Sequence, residues 1–331
     1  MCRFLELSAV LWYKRDMNYI VFDLEWNQCP YGKAMENAQL PFEIIEIGAV
    51  KLNEKKEILS SYHQYIRPVI YRQIHFRTKE VIGITMDDLK EGMLFHDAAS
   101  DFFKWCGTGF RFCTWGTLDL FELQRNLKYY YLSGLLTAPV FYEDVQKLFA
   151  LSYENPKERR SLSYAADFLK ISSEGDFHHA LDDAMYTARI FQTLSDDVIL
   201  GNYSIDYYQN PKSKEEEICI RYDSYEKYVT REFDTKEDAM EDRELTSMRC
   251  FVCHQNVKRK IKWFSNNSKN QYAVAFCPEH GYVKGKIRLK TAEDGKIFAV
   301  KTTKMISEEE AEEISKKQSF LRLKRQKKRK K

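Results

Sequence analysis

The chain has 331 residues, 44% of them hydrophobic and 14% aromatic, with a formal net charge of +3. Such a composition excludes an intrinsically disordered chain and leaves room for one sizeable core plus a second small unit. No apolar run reaches the roughly 18 residues of a membrane span, and residues 1–16 contain Arg3 and Glu6 and lack a small-residue cleavage site, so neither a membrane segment nor a signal peptide is expected.

Residues 19–24, 43–52 and 58–66 read as three strands joined by polar turns such as residues 53–56, an arrangement that predicts antiparallel neighbours. Residues 97–106 then read as a helix with Ala98, Phe102, Trp105 and Cys106 apolar, and residues 110–115 as a further strand. Helices are expected over 118–131, 161–169 and 180–194. Strands first, then strand alternating with helix, describe a mixed α/β domain over residues 17–195. Residues 196–247 are rich in Asp, Glu, Lys and Tyr with weak periodicity, and they read as a linker. Residues 248–306 form a small unit with strand-like pieces at 272–276 and 297–301. Residues 307–331 read as a basic helical tail, opened by Ser307 and Glu310 in capping-box spacing. The near-neutral total conceals a division: residues 249–331 hold 23 Lys and Arg against 8 Asp and Glu, so the remainder is acidic. This pattern predicts a catalytic body with its own anion-binding attachment.

Asp23 and Glu25 lie two apart in the first strand and share a face, while Phe22 and Leu24 take the other. Two adjacent carboxylates in so apolar a run repel each other and lose hydration, which a divalent cation between them would offset. Asp119 opens the helix after the 110–115 strand. His178-His179-Ala180-Leu181-Asp182-Asp183 leads into the last helix of the domain. The order Asp-x-Glu, Asp, His-x-Ala-x-x-Asp resembles the DEDDh 3′–5′ exonuclease superfamily, which includes polymerase proofreading subunits, RNase T and oligoribonuclease. Residues 43–50, 161–166 and 184–191 are also similar to that group's second strand and closing helices. Thr114-Trp115-Gly116 before Asp119, and His-x-Ala-Leu-Asp-Asp-Ala, look most like the KapD-type and RNA-interference-regulating branch, although Thr117 departs from its usual acidic or amide residue.

The resemblance implies an RNase H-like α/β fold and two Mg²⁺ or Mn²⁺ ions. Asp23 would bridge the ions, Glu25 and Asp183 would serve the one binding the nucleophile, and Asp119 the other. His178 would be the general base. Its five-residue spacing to Asp183 fits the motif, whereas His179 is only four away; Asp182 is the rival for Asp183, and Glu46 is expected to pack nearby without holding metal. The implied substrate is the 3′ end of single-stranded RNA or DNA, with RNA slightly favoured. A DNA-trimming exonuclease and a non-catalytic nucleic-acid adaptor are the alternatives.

Eight cysteines are scattered, and only Cys250, Cys253 and Cys277 fall into a pattern, closed by His280. Two such knuckles resemble a zinc ribbon, which would hold one structural Zn²⁺ with no open position. Cysteines suited to metal rather than disulfides point to a reducing, cytoplasmic setting. Lys258, Arg259, Lys260, Lys262 and Trp263, followed by Lys284, Lys286, Arg288 and Lys290, are expected to meet phosphates and bases. The sequence implies no protein partner and no membrane.

Overall fold

The computed structural model describes residues 17–155, 158–172, 178–267 and 269–329. Residues 1–16 and the last two lysines of the tail lie outside the described residues. The chain divides between Gln209 and Asn210 into two compact units. Among the described residues, no helix is long and apolar enough to cross a membrane.

The first unit is built on β1 (Asn18–Gln28), which pairs antiparallel with β2 (Phe42–Leu52) and parallel with β4 (Phe110–Thr114). With β3 (Ile58–Tyr65), β5 (Phe141–Asp144) and β6 (Ser204–Ile205) the sheet order is β3-β2-β1-β4-β5-β6. The helices are α1 (Phe76–Ile82), α2 (Phe95–Cys106), α3 (Leu118–Tyr129), α4 (Val145–Tyr153), α5 (Leu162–Phe168), α6 (Ala180–Thr193) and α7 (Asp196–Asn202). Strand alternation splits β1 between two cores. Ile20, Phe22 and Leu24 pack with Phe102 of α2 and Leu120 and Leu123 of α3. Val21 packs on the opposite face with Phe149 of α4, Ala165 of α5 and Ala184 and Phe191 of α6. This is the mixed α/β sheet with flanking helices that the sequence pattern implies.

The second unit is a six-stranded sheet in the order β7-β8-β12-β11-β10-β9, antiparallel throughout. Its strands are β7 (Ile218–Arg221), β8 (Tyr225–Val229), β9 (Lys258–Ser265), β10 (Asn270–Cys277), β11 (Gly281–Thr291) and β12 (Ile297–Ile306). One face packs Ile287, Leu289 and Ala299 against Ala239 of α8 (Lys236–Glu241) and Leu245 of α9 (Arg243–Thr246). The other packs Phe264 and Val274 against Ala311 and Ile314 of α10 (Glu308–Arg329). The basic segment is helical as expected, but its first half is part of a core.

Residues 196–247 are not a linker. Helix α7 and strand β6 complete the first unit, while β7, β8, α8 and α9 belong to the second. The charges that suggested solvation bond to each other: Arg231 donates to Glu217 at 2.8 Å and Asp242 at 3.1 Å, and the Tyr228 hydroxyl donates to Glu217 at 2.6 Å. The second unit therefore begins near residue 210 rather than 248.

Candidate active site

Asp23 and Glu25 continue the face of β1 that Val21 opens, so they look toward α6. Helix α6 can lie close because residue 48 of β2 is glycine. A Cβ there would stand 2.0 Å from the Leu181 nitrogen and 2.1 Å from the Ala180 carbonyl carbon, so any side chain would lift the first turn of α6 off the sheet. With the helix seated, one oxygen each from Asp23, Glu25 and Asp183 lie within 4.8 Å of one another. Asp119, buried in the first turn of α3, takes the Leu24 backbone N–H and exerts the strongest neighbouring charge on Asp23. The four carboxylates expected from the sequence thus converge from β1, α3 and α6.

Their electrostatics are those of a cation site. Burial first, and then mutual repulsion, raises Asp23 well above the usual carboxylate range and Glu25 to about 9. Asp119 rises to about 7, chiefly through burial, against the lowering influence of its own and the Leu24 N–H groups. Asp183 rises to about 6, again mainly through burial. One Asp183 oxygen, Oδ1, is buried without a hydrogen-bond donor. Clustered carboxylates that resist ionisation, with an orphaned oxygen among them, fit Mg²⁺ or Mn²⁺, which bind hard oxygen ligands.

His178 precedes α6 with φ of 77°, and its backbone N–H reaches Asp183 Oδ2 at 3.4 Å. Its charge also acts on Asp183, so the imidazole lies beside the carboxylates while the residue stays exposed. His179 is the N-cap residue of α6 and makes no side-chain capping bond.

Glu46 lies near the site as expected, and a second feature, Asn27 with the loop it holds, was not read from the sequence. Glu46 of β2 pairs directly with Glu25. Asn27 is fully buried and fixes the next loop, with its amide donating to the Tyr71 and Gln73 carbonyls and its oxygen accepting the His75 N–H. That loop presents Phe76 at the start of α1, 67% exposed and flanked by the His75 ring and the Arg77 guanidinium. The only available signal was an isolated polar residue two past Glu25, and a strand pattern alone does not reveal its partners.

In the second unit Cys250, Cys253, Cys277 and His280 offer ligand atoms within 4.8 Å of one another. The Cys253–Cys277 sulfur separation is 3.8 Å, and His280 Nδ1 lies 3.7 Å from Cys250 and 3.6 Å from Cys277. These are the edge lengths, about 3.8 Å, of a tetrahedron with metal–sulfur bonds near 2.3 Å, and far from a disulfide. Burial raises the Cys250 thiol, but the Cys253 and Val252 N–H groups outweigh it and lower the thiol below its usual value. His254, next to Cys253, contacts Arg221 and stands outside the cluster. Outside this cluster, Cys219 is disulfide-bonded, which the reading of metal-suited cysteines did not anticipate.

Lys258, Arg259, Lys260 and Lys262 lie exposed on the edge strand β9. Trp263 corrects the expectation of a stacking platform. Its indole N–H donates to the Thr246 carbonyl at 2.8 Å, and its ring packs against Met248 over Gly285, where a Cβ would clash at 2.6 Å. Trp263 fills a core.

The exonuclease family model named for RNase T matches residues 20–191. "Probable 3′–5′ exonuclease KapD" of Bacillus subtilis is 28% identical over 182 residues, which span 54% of this chain and 84% of that protein. The "3′–5′ exoribonuclease 1" of Mus musculus is 26% identical over 167 residues, 46% of this chain and 47% of that one. Among solved structures, the nuclease domain of 3′hExo, a DEDDh family member bound to rAMP, is similar at 24% identity and a TM-score of 0.49, covering 58% of this chain and 97% of that domain.

Proposed function

The chain belongs to the exonuclease family named for RNase T, and from that premise we propose that it is a metal-dependent 3′–5′ exonuclease acting on single-stranded nucleic acid, RNA slightly favoured over DNA. The convergence of Asp23, Glu25, Asp119 and Asp183, with His178 beside them, carries this reading. Divalent ions held there would supply a water acidic enough to attack a phosphodiester and charge to stabilise the leaving 3′-oxygen. Asp23, on which Asp119 and then Glu25 act most strongly after burial, would be the carboxylate serving both ions, with Glu25 and Asp183 on one and Asp119 on the other. His178 takes the proton from the attacking water, a task suited to an imidazole near neutral pH. The exposed Phe76 ring, tethered through Asn27 to the strand bearing the ligands, supports a role in stacking the terminal base.

The second unit is assigned attachment rather than chemistry. Four protein ligands would hold one structural Zn²⁺ and leave no open position for substrate. Strand register supports a phosphate-binding face. Lys227, Thr302, Lys286 and Tyr272 lie in one row across β8, β12, β11 and β10, and Lys304 and Lys284 are paired in the next row. Glu310 answers Lys284 and Lys304, and among the described residues no carboxylate pairs with Lys286 or Arg288.

The test is a time course on RNA and DNA of equal sequence, labelled at either end, with Mn²⁺, Mg²⁺ or EDTA. Mononucleotide release from the 3′ end with either metal, abolished by EDTA and in a folded Asp23→Ala protein, is expected. Internal cuts, or near-wild-type turnover by Asp23→Ala, would reject the assignment.

A further inference from the structure

Glu46 is 1% exposed and stands opposite Glu25 in the β1–β2 ladder. Oε1 is bound by His63 Nε2 at 2.8 Å, from β3 on the far side of β2. Oε2 is equally buried and, among the described residues, receives no hydrogen bond. After burial itself, Glu46 is the strongest influence raising Glu25, and it also acts on Asp23 and Asp183. A carboxylate serving only the packing of β2 on β3 would have both oxygens matched, and placing a fifth negative group behind four others works against the fold. His63 fixes one oxygen and leaves the other unpaired, on a residue that stands opposite Glu25.

We propose that Glu46, oriented by His63, is a positioning residue of the active site, whose Oε2 accepts a hydrogen bond from a water bound to the cation held at Glu25 and Asp183. Such a bond orients the water for attack and tightens the ion's hold, as partners one shell beyond a metal's ligands do. His63 makes the arrangement directional: with Oε1 held at 2.8 Å, Oε2 keeps one orientation. The inference rests on the metal-dependent reading of the site.

The experiment uses the full chain and Mn²⁺ alone as probe. Glu46→Gln keeps the shape and a carbonyl acceptor but removes the charge. It is expected to weaken Mn²⁺ binding, followed by calorimetry or by the free Mn²⁺ EPR signal, and to lower turnover, each by roughly 10- to 100-fold. His63→Ala should move both readouts the same way by less, and His63→Gln, whose amide can still donate, should recover at least half of that loss. Unchanged Mn²⁺ affinity in folded Glu46→Gln, or a lowered melting temperature with Mn²⁺ affinity intact, overturns the proposal. If Glu46→Gln does not fold, His63→Ala decides: wild-type Mn²⁺ affinity in that variant rejects it. Asp23→Ala, run in parallel, separates the two levels. Loss of Mn²⁺ binding there without loss in Glu46→Gln rejects this inference alone, whereas retained Mn²⁺ binding and activity in Asp23→Ala removes the metal reading beneath it.

Discussion

His178 holds a backbone conformation, φ 77°, that side chains with a Cβ rarely adopt, and its N–H bond to Asp183 keeps it there. A histidine tied in this way to the carboxylate it accompanies suits a general base. His178→Ala should therefore lower turnover by roughly 10²–10⁴-fold with Mn²⁺ affinity little changed, and His179→Ala should do far less. Steady-state kinetics of the two variants would expose a register error if they behaved the other way round. The carboxylates give a second prediction, about pH. Their pKa values are raised on folding, to about 6 at Asp183, about 7 at Asp119 and about 9 at Glu25. The folded metal-free protein thus retains protons that the unfolded chain releases. The stability these groups contribute is fully present below the unfolded carboxylate range and is lost as pH rises through those folded values. Bound cation reverses the loss, so the rise in melting temperature on adding Mn²⁺ should be larger near about pH 8.5 than near about pH 5.5. A rise that shrinks with pH would count against carboxylate ligands. The clustering of the carboxylates was legible, because spacing within a strand or a helix turn fixes which face a residue takes. Glu46 was read as a neighbour of the site, but its link to His63 was not, since that pairing depends on the register of two strands.

At the scale of elements, the strands and helices with clear apolar periodicity fell within a few residues of their expected positions, as with residues 110–115 against β4 and 180–194 against α6. The stretch 196–247 was misread because short strands such as β7 and β8 carry too few residues for a period, and because the Arg231–Glu217–Asp242 pairing turns apparent solvent charge into internal structure. The knuckles were legible for the opposite reason: Cys-x-x-Cys and Cys-x-x-His spacing is a pattern in itself, and the four side chains do come together. Cys250→Ser or Cys277→Ser should release about one zinc per chain, measured by elemental analysis, and unfold the ribbon end of the second sheet, because two of the four ligands bracket the turn between β10 and β11. Wild-type protein purified without zinc would remove the metal from this account.

For the whole molecule, separate units imply that chemistry and attachment can be cut apart, and the structure moves the place to cut. Ending the chain near residue 195, as the sequence boundary suggests, would remove β6, whose Ser204 pairs with Tyr142. It would also strip the Asn202 carbonyl from Lys147, which donates to it at 2.7 Å. A chain ending at Gln209 keeps both. It is expected to fold and to cleave short oligonucleotides with Mn²⁺ at close to the full-length rate, but to bind long single strands more weakly. Each phosphate neutralised by Lys or Arg releases counterions, with a logarithmic salt slope of about −0.7 per contact on single strands. If Lys286, Arg288 and their neighbours meet about four phosphates, full-length binding should show a slope steeper than that of the shortened chain by about 3. Replacing Lys286 and Arg288 together with Gln should remove part of the difference without touching hydrolysis of short substrates, since neither residue lies in the unit that holds the carboxylates. Fluorescence-anisotropy titrations of a long RNA across a salt series measure all three proteins. Equal slopes for the full and shortened chains would leave the second unit's fold in place and deny it a part in holding the substrate.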